Sequence, residues 1–410
     1  MDWNFLIKNK DSITVTTDSR KVTPGSVFVA LKGEHFDGND FVEQAKADGA
    51  AYIICGENAL RDLQDLARAW RRELGLPILG ITGTNGKTTT KELCAAVLST
   101  KYNLYYTQGN LNNQLGVPLT LLSITRAHEM AIVEMGASHP GDIKELVEIA
   151  EPDYGLITNV GKAHLQGFGS FEGVMRTKAE LYDWLIAHNG TIFRNADNPY
   201  LEKMYLSACE ASGLSGEAGL SSVSEAILYH TGTMLEGTHL VGGYNAENIS
   251  AAVCVGRYFG VSEEAALAAI RAYVPSNNRS QLMQTPKNTV IVDAYNANPT
   301  SMQAAIEAFD RYQMSDIQSQ MPKAYILGAM RELGEYSHRE HQNIVNMLLE
   351  RKAENVFLVG PEYRETTAPY PVYENIETLY DYLSREPLAG YRILLKGSRS
   401  NQMEKILPLL

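Results

Sequence analysis

The sequence predicts an α/β protein of three units: a small α/β unit, a doubly wound parallel sheet with a phosphate loop at its first strand, and a second open α/β sheet. Three observations carry this. Short apolar runs alternate with helical segments along the whole chain. One of those runs, Leu76-Pro77-Ile78-Leu79, leads through a glycine-bearing turn into a helix. A later series of four apolar runs lies between Thr289 and Leu395, again spaced by helices.

In the first unit, Val27–Leu31 and Ala51–Cys55 read as strands, with a helix opening at Phe41 between them. Residues 56–75 read as a charged helix bridging to the next unit. From Leu76 the order becomes strand–helix–strand. Glu92–Leu98 is helical, and Ala131–Met135 and Tyr154–Val160 are strands with a helix between them. A helix follows near 172–187, and residues 227–242 read as a hairpin. Ile249–Phe259 is a helix ended by Gly260, and Ser262-Glu263-Glu264 caps the next one. In the last unit Thr289–Asp293, Ala324–Leu327, Val356–Val359 and Arg392–Leu395 are strands. Helices fall near 301–312, 338–352 and 375–385, and no G-x-G-x-x-G is present, so this sheet is not read as a dinucleotide site.

At 410 residues the chain has room for two to four domains. With 44% hydrophobic and 20% charged residues, it is globular and not disordered. The formal charge of −12 argues against broad nucleic-acid or anionic-membrane binding, which needs a basic face. Small phosphorylated ligands remain compatible, since their sites are local. Cys55, Cys94, Cys209 and Cys254 form no C-x-x-C pair and read as buried free thiols of a reducing compartment. No apolar run reaches 18 residues, and the N-terminus lacks a basic stretch followed by an apolar core. The expected location is the cytoplasm.

The informative stretch is Gly80-Ile81-Thr82-Gly83-Thr84-Asn85-Gly86-Lys87-Thr88-Thr89-Thr90-Lys91. A glycine turn at a helix N-terminus offers backbone N–H groups and a partial positive charge to a phosphate. Lys87 reaches outer phosphates and the Thr88 hydroxyl suits Mg²⁺. Position 81 is isoleucine where the G-x-x-x-x-G-K-[ST] signature has its first glycine, so the loop is a shorter variant. A tight turn that merely contains Gly-Lys-Thr is the bland alternative. Glu134 ends the next strand, where open α/β folds place ligands, and suits Mg²⁺ shared with phosphate oxygens; a solvated strand-end glutamate is equally compatible. His164 comes to the same edge, although a lone histidine is more often structural. Lys178 lies on the following helix, where a surface charge is the ordinary reading. Asn112 and Asn113 offer amides to a polar ligand or simply make a good turn. Asp293 ends a strand and suits ribose hydroxyls. Lys396-Gly397-Ser398-Arg399 suits a carboxylate or phosphate, or is a basic loop.

Taken in order, several segments resemble the Mur ligase family of peptidoglycan synthesis. They are Thr17–Gly25, Ala30–Gly33, Thr82–Thr88, Asn110–Pro118, Glu134–Asp142, His164–Ser170, Gly243–Asn248, Asp293–Met302 and Leu395–Ser400. The resemblance is strongest to the members that add D-alanyl-D-alanine to UDP-N-acetylmuramoyl-tripeptide. It implies a UDP-binding domain over 1–75, a central P-loop ATPase-type domain over 76–279 and a C-terminal Rossmann-like domain over 280–410. It implies ATP contacts from Gly83, Thr84, Asn85, Gly86, Lys87, Thr88 and Thr89, with Asn245 and Asn248 on adenine, Arg279 on phosphates and Asp293 on ribose. Two Mg²⁺ ions would be held by Thr88, Glu134, His164 and Lys178, with Lys178 carbamylated; Lys87, Lys178 and His164 would be catalytic. Ser19 and Arg20 would meet the uridine nucleotide. Asn112, Asn113, Asn296, Lys396, Ser398 and Arg399 would meet the sugar-peptide or the dipeptide. One departure is Ala329 in Leu327-Gly328-Ala329-Met330, where the family commonly has aspartate; His341 falls where the family places a histidine.

The implied reaction is ligation through an acyl phosphate by a monomer, with the C-terminal domain closing on the central one. Other readings are the sister ligase that adds the third amino acid, a folylpolyglutamate-type ligase and a nucleotide-gated binding protein without ligase activity. The sister usually carries Asp-Asn-Pro-Arg in its last domain. Here Asp197-Asn198-Pro199-Tyr200 lies elsewhere and lacks the arginine. The folylpolyglutamate type lacks the N-terminal domain, and loss of metal-ligand residues would favour the binding protein.

Overall fold

Apolar runs covered by helices on both faces make parallel strands, and the described chain is built mostly from these. The computed structural model describes residues 3–33, 36–213, 226–275, 279–311 and 321–410. Three sheets are present, one per region, and the expected α/β class is borne out.

The first sheet is parallel, in the order β1 (Val15–Thr16), β2 (Val27–Val29), β3 (Tyr52–Ile54). Alternation along β2 splits its side chains. Phe28 packs with Ala30 and Ala45 on one face, whereas Val27 and Val29 join a much larger core shared with the central sheet. The helix Ala59–Leu74 mediates that sharing. Leu63, Leu66, Ala67 and Trp70 recur at helical spacing and are all buried. The fully buried Trp70 donates its Nε1–H to the Ile124 carbonyl at 2.9 Å. Trp70→Ala should cost about 3–5 kcal/mol, read as a lower urea midpoint.

The central sheet comprises β4 (Ile78–Thr82), β5 (Leu104–Tyr106), β6 (Met130–Glu134), β7 (Tyr154–Ile157), β8 (Thr191–Asn195) and β9 (Ile227–Tyr229). Its order is β5-β6-β4-β7-β8-β9, all parallel. The chain leaves β4 for β5 and β6, then crosses back past β4 to β7. The order therefore reverses at β4, and the crevice at its carboxyl end is the expected ligand position. Register sets Ile81 beside Glu134 and Thr82 beside Ile157, so the loops after β4, β6 and β7 meet there.

The hairpin expected over 227–242 is not formed. β9 pairs parallel with β8, and of the remainder only Leu240 makes a bridge, to Gln281. The open edge of β8 supplies Ile227–Tyr229 with its partner, so no local antiparallel return is needed. Strands β5 and β8 and the helix Pro199–Ala211 have no counterpart in the sequence reading.

The last sheet contains β10 (Gln281–Gln284), β11 (Thr289–Asp293), β12 (Lys323–Gly328), β13 (Asn355–Val359), β14 (Val372–Tyr373) and β15 (Arg392–Lys396). Its order is β10-β11-β15-β12-β13-β14, with β10 antiparallel and the others parallel. Separate apolar clusters cover its two faces. Pairing of β11 with β15 sets Asp293 beside Lys396 at their carboxyl ends. The four cysteines are free, but only Cys94 and Cys209 are buried; Cys254 is half-buried, and Cys55, just past β3, is exposed, against the expectation of buried thiols. Among the described residues no helix is long and apolar enough to cross a membrane.

Candidate active site

The turn between β4 and the helix Lys87–Leu98 requires its glycines. Gly83 has φ +144°, and a Cβ there would stand 2.0 Å from Thr158 Oγ1. Gly86 has φ +79°, and a Cβ would stand 2.5 Å from Asn248 Oδ1. The residues after β7 pin the loop. The Thr84 N–H donates to the Asn159 carbonyl at 2.9 Å, and the Asn85 N–H to Asn159 Oδ1 at 3.0 Å. The Thr158 hydroxyl donates to the Asn85 carbonyl at 2.6 Å. Lys87 folds back over the turn, donating to the carbonyls of Gly83 at 2.8 Å and Thr84 at 3.1 Å. Burial lowers the Lys87 pKa to about 8, with Glu134 opposing the shift.

Glu134 faces this loop. Its Oε1 accepts from Thr88 Oγ1 at 3.1 Å and from Asn112 Nδ2 at 2.8 Å. Its Oε2 is buried without a hydrogen bond, 3.8 Å from Lys91 Nζ. A buried carboxylate oxygen without a hydrogen bond, beside a threonine hydroxyl and a phosphate loop, fits a divalent cation that phosphate and water would complete. His164 holds left-handed backbone at φ +50°, and its Nδ1 contacts the Glu332 carboxylate. Lys178 is 2% exposed and its ammonium lies 5.7 Å from the Phe168 ring centroid, with no hydrogen bond or ion pair among the described residues. Burial holds its pKa well below the usual lysine value, and the nearby Lys87 charge adds to this. As an amine Lys178 does not suit a metal; as a carbamate it would. Among the described residues no three His, Cys, Asp or Glu side chains cluster to hold an ion by themselves.

Lys87, Thr88, Asn112, Glu134 and His164 open onto one cavity of about 780 Å³. Its wall includes Thr84, Asn85, Gly86, Lys87, Thr88 and Thr89 from the loop, and Asn112, Asn113, Glu134 and His164 from the other sheet-edge segments. Asn245 and Asn248 border it too, as do Arg279, Asp293, Asn296 and Lys396 from the far side. Several amides and charges are engaged with one another. Asn113 Oδ1 accepts the Gly116 N–H at 2.8 Å, at the start of the helix Gly116–Leu122, which supports the turn reading. Thr90 Oγ1, Asn248, Asn245 and the Val241 carbonyl form a chain of bonds at 3.0, 2.9 and 2.8 Å. Lys396 Nζ donates to Asp293 Oδ2 at 2.6 Å and to the Asn296 carbonyl at 3.1 Å, so the two strand-end charges pair. Arg279 stacks at 3.8 Å on the Tyr295 ring, with its Nε buried and unbonded.

Some expected residues lie elsewhere. Gly83 and Lys178 are not among the residues lining the cavity. Ser19 and Arg20 belong to the first unit, outside this cavity; Arg20 grips Asp18 with two bonds of 2.8 Å, holding that carboxyl down to about 2. Ser398 and Arg399 border a smaller cavity of about 400 Å³ with Arg331. The two cavities meet at His164, Asn296 and Glu332. Ser398 Oγ donates to the Ala329 carbonyl at 2.9 Å. The sequence reading missed Glu332, Asn159, Lys91 and Tyr295. Of these only Lys91, one helical turn after Lys87 and fully buried, carried a signal in its spacing.

Three family descriptions match in order along the chain: "Mur ligase family, catalytic domain" over 14–85, "Mur ligase middle domain" over 81–256 and "Mur ligase, glutamate ligase domain" over 278–399. The UDP-N-acetylmuramoyl-tripeptide–D-alanyl-D-alanine ligase of Bacillus subtilis (strain 168) is 33% identical, over 96% of this chain and 92% of its own length. The chain belongs to the Mur ligase family. Two solved structures share the architecture of this Mur ligase over nearly its full length. A crystal structure of MurF from Acinetobacter baumannii superposes with a TM-score of 0.82 at 28% identity, covering 96% of this chain and 92% of the other. MurF of Thermotoga maritima, solved in complex with ADP, gives 0.81 at 27% identity, covering 98% and 97%. The three-domain fold expected of a Mur ligase is thus borne out, and the enzyme is an ATP-dependent ligase. Glu134→Gln in this Mur ligase should raise the Mg²⁺ concentration giving half-maximal activity about tenfold or more while leaving the fold intact, measured by Mg²⁺ titration and thermal melting.

Proposed function

We propose that this Mur ligase joins D-alanyl-D-alanine to UDP-N-acetylmuramoyl-tripeptide, using ATP, in peptidoglycan precursor synthesis. The observation that carries this is the single cavity onto which the phosphate loop, Glu134, the Asn112–Asn113 pair and the strand ends of the last sheet all open. The relatives named above, similar over nearly their whole lengths, favour this reading over the sister ligase and over a binding protein.

A carboxylate is a poor acyl donor because its leaving group would be oxide. The γ-phosphoryl of ATP therefore passes to the terminal carboxylate of the tripeptide, and ADP leaves. The amine of the dipeptide then attacks the acyl carbon, and phosphate departs with the former carboxylate oxygen. In this scheme the loop from Gly83 to Thr89 holds the phosphates, and Lys87 offsets the repulsion between anions. Thr88 and Glu134 would hold one Mg²⁺, and His164 and a carbamylated Lys178 would face a second. Bound there, the ions would screen the phosphate charge. Arg279 meets phosphate, Asp293 ribose, and Asn245 and Asn248 adenine. Ser19 and Arg20 receive the uridine nucleotide, and Asn112, Asn113, Asn296, Lys396, Ser398 and Arg399 the peptide substrates. Acyl phosphates hydrolyse, so closure of residues 280–410 onto 76–279 keeps water out until the amine is bound. The first unit, 1–75, holds the UDP end. The enzyme works as a monomer in the cytoplasm on small molecules, without nucleic acid.

The test is phosphate release with ATP, UDP-N-acetylmuramoyl-tripeptide and D-alanyl-D-alanine, each omitted in turn, with product mass read out. Release that needs all three, with a product heavier by the dipeptide less water, is expected. Release without ligated product, or a product carrying a single amino acid, overturns the assignment.

A further inference from the structure

The contact between His164 and Glu332 joins two units of the chain. His164 follows β7 of the central sheet, and Glu332 follows β12 of the last one. Both are non-glycine residues in left-handed backbone, at φ +50° and +60°. Such conformations cost roughly 1–3 kcal/mol each and persist where their surroundings over-determine them.

Those surroundings are visible. On one side the Gly167 and Phe168 N–H groups donate to the His164 carbonyl at 2.9 and 3.0 Å. On the other, the segment before Glu332 is fixed at three points. The Ala329 N–H donates to the Val359 carbonyl at 2.8 Å, the Ala329 carbonyl accepts from Ser398 Oγ at 2.9 Å, and the Met330 N–H donates to His341 Nε2 at 3.0 Å. The two segments then dock. The Gln166 N–H donates to the Glu332 carbonyl at 3.2 Å, and Tyr336 packs on the cluster of Leu165, Phe168 and Val174. The side-chain pair is thus one of several contacts between the two segments, the Tyr336 hydroxyl also reaching the Gly169 carbonyl at 3.4 Å.

We propose that Glu332 is a positioning residue for His164. Its carboxylate holds the proton on Nδ1, so the imidazole turns an unprotonated Nε2 toward the large cavity. Nε2 makes no hydrogen bond among the described residues, and both side chains border that cavity. A ring nitrogen carrying a lone pair suits a metal ion and would repel a phosphate oxygen. Because the orienting carboxylate belongs to the last unit, His164 becomes a competent ligand only when that unit is docked. The proposal rests on the ligase reading for what His164 faces, and on geometry alone for the tautomer.

The experiment compares the wild-type chain with Glu332→Ala and Glu332→Gln. The His164 tautomer is read from ring nitrogen shifts of ¹⁵N-histidine-labelled protein without nucleotide or metal, with His164→Gln identifying the signal. Apparent Mg²⁺ requirement and KM for ATP are read in the ligation assay. With His164 and Glu332 side chains 34% and 57% exposed, the variants should fold, and thermal melting checks this. Glu332→Ala should lose the Nδ1–H tautomer and raise the Mg²⁺ requirement about 10–100-fold, with KM for ATP changed less than twofold. Glu332→Gln keeps an acceptor and should keep the tautomer. A wild-type His164 protonated on Nε2, or a Glu332→Ala variant whose tautomer is unchanged, overturns the proposal. Wild-type protein that makes no ligated product overturns the ligase reading instead, and the nitrogen shifts still decide the tautomer.

Discussion

Replacing Lys87 with alanine should lower kcat about 10²–10³-fold, the range found when a single preorganised donor to developing charge is removed. Among the described residues the Lys87 ammonium bonds to the carbonyls of Gly83 and Thr84, within its own turn. Both bonds stay within one turn and tie no other element to it, so the variant should melt within a few degrees of the wild type. Transition-state charge has no such substitute, because water cannot supply a fixed cation at the outer phosphates. Lys87→Arg should recover only part of the loss, since a planar fork does not occupy the place of a compact ammonium. Steady-state phosphate release and thermal melting check both statements. Full activity in Lys87→Ala would remove the loop from the chemistry.

The second large effect concerns Lys178. Burial and the Lys87 charge both disfavour its ammonium form, which favours the amine that carbamylation requires. Attack of that amine on CO₂ would give a carbamate and a released proton, and would convert a site unfit for a metal into a carboxylate-like ligand. Lys178→Ala should therefore lose at least about 10²-fold in turnover, comparable to removing an electrostatic group at the reacting phosphate. Wild-type protein given ¹³C-bicarbonate should show a carbamate carbon signal that Lys178→Ala lacks. An active Lys178→Ala variant, or an unlabelled wild type, would reduce Lys178 to a buried side chain packed near Phe168.

The parts legible in the sequence were those with local causes. β4, β6, β11 and β15 are continuous apolar runs because helices cover both faces of their sheets, and such runs read as strands without further context. The phosphate turn was legible because its glycines are demanded by backbone geometry and its Lys-Thr by chemistry. The stretch 227–242 misled because Ile227–Tyr229 finds its partner on β8, more than 30 residues earlier, and not in its own return. Asp293 and Lys396 were each read as a free ligand group, whereas strand register sets them side by side and pairs them. Glu332 was illegible for the same reason on a larger scale. Its significance comes from contact with another sheet, and nothing within a few residues of it announces that.

The pinned phosphate turn has a thermodynamic consequence. Thr158 and Asn159 hold Thr84 and Asn85 from one side, and Asn298 Nδ2 reaches Asn85 Oδ1 at 2.8 Å from the last unit. Nucleotide thus meets a cradle whose conformational entropy is already spent at the folding step. Little loop ordering remains for binding to cover, and the rearrangement expected within the loop is the release of Lys87 from two carbonyls. Calorimetry of nucleotide binding should accordingly show a small entropic penalty and a modest heat-capacity change, with the larger structural response belonging to the movement between units and not to the loop.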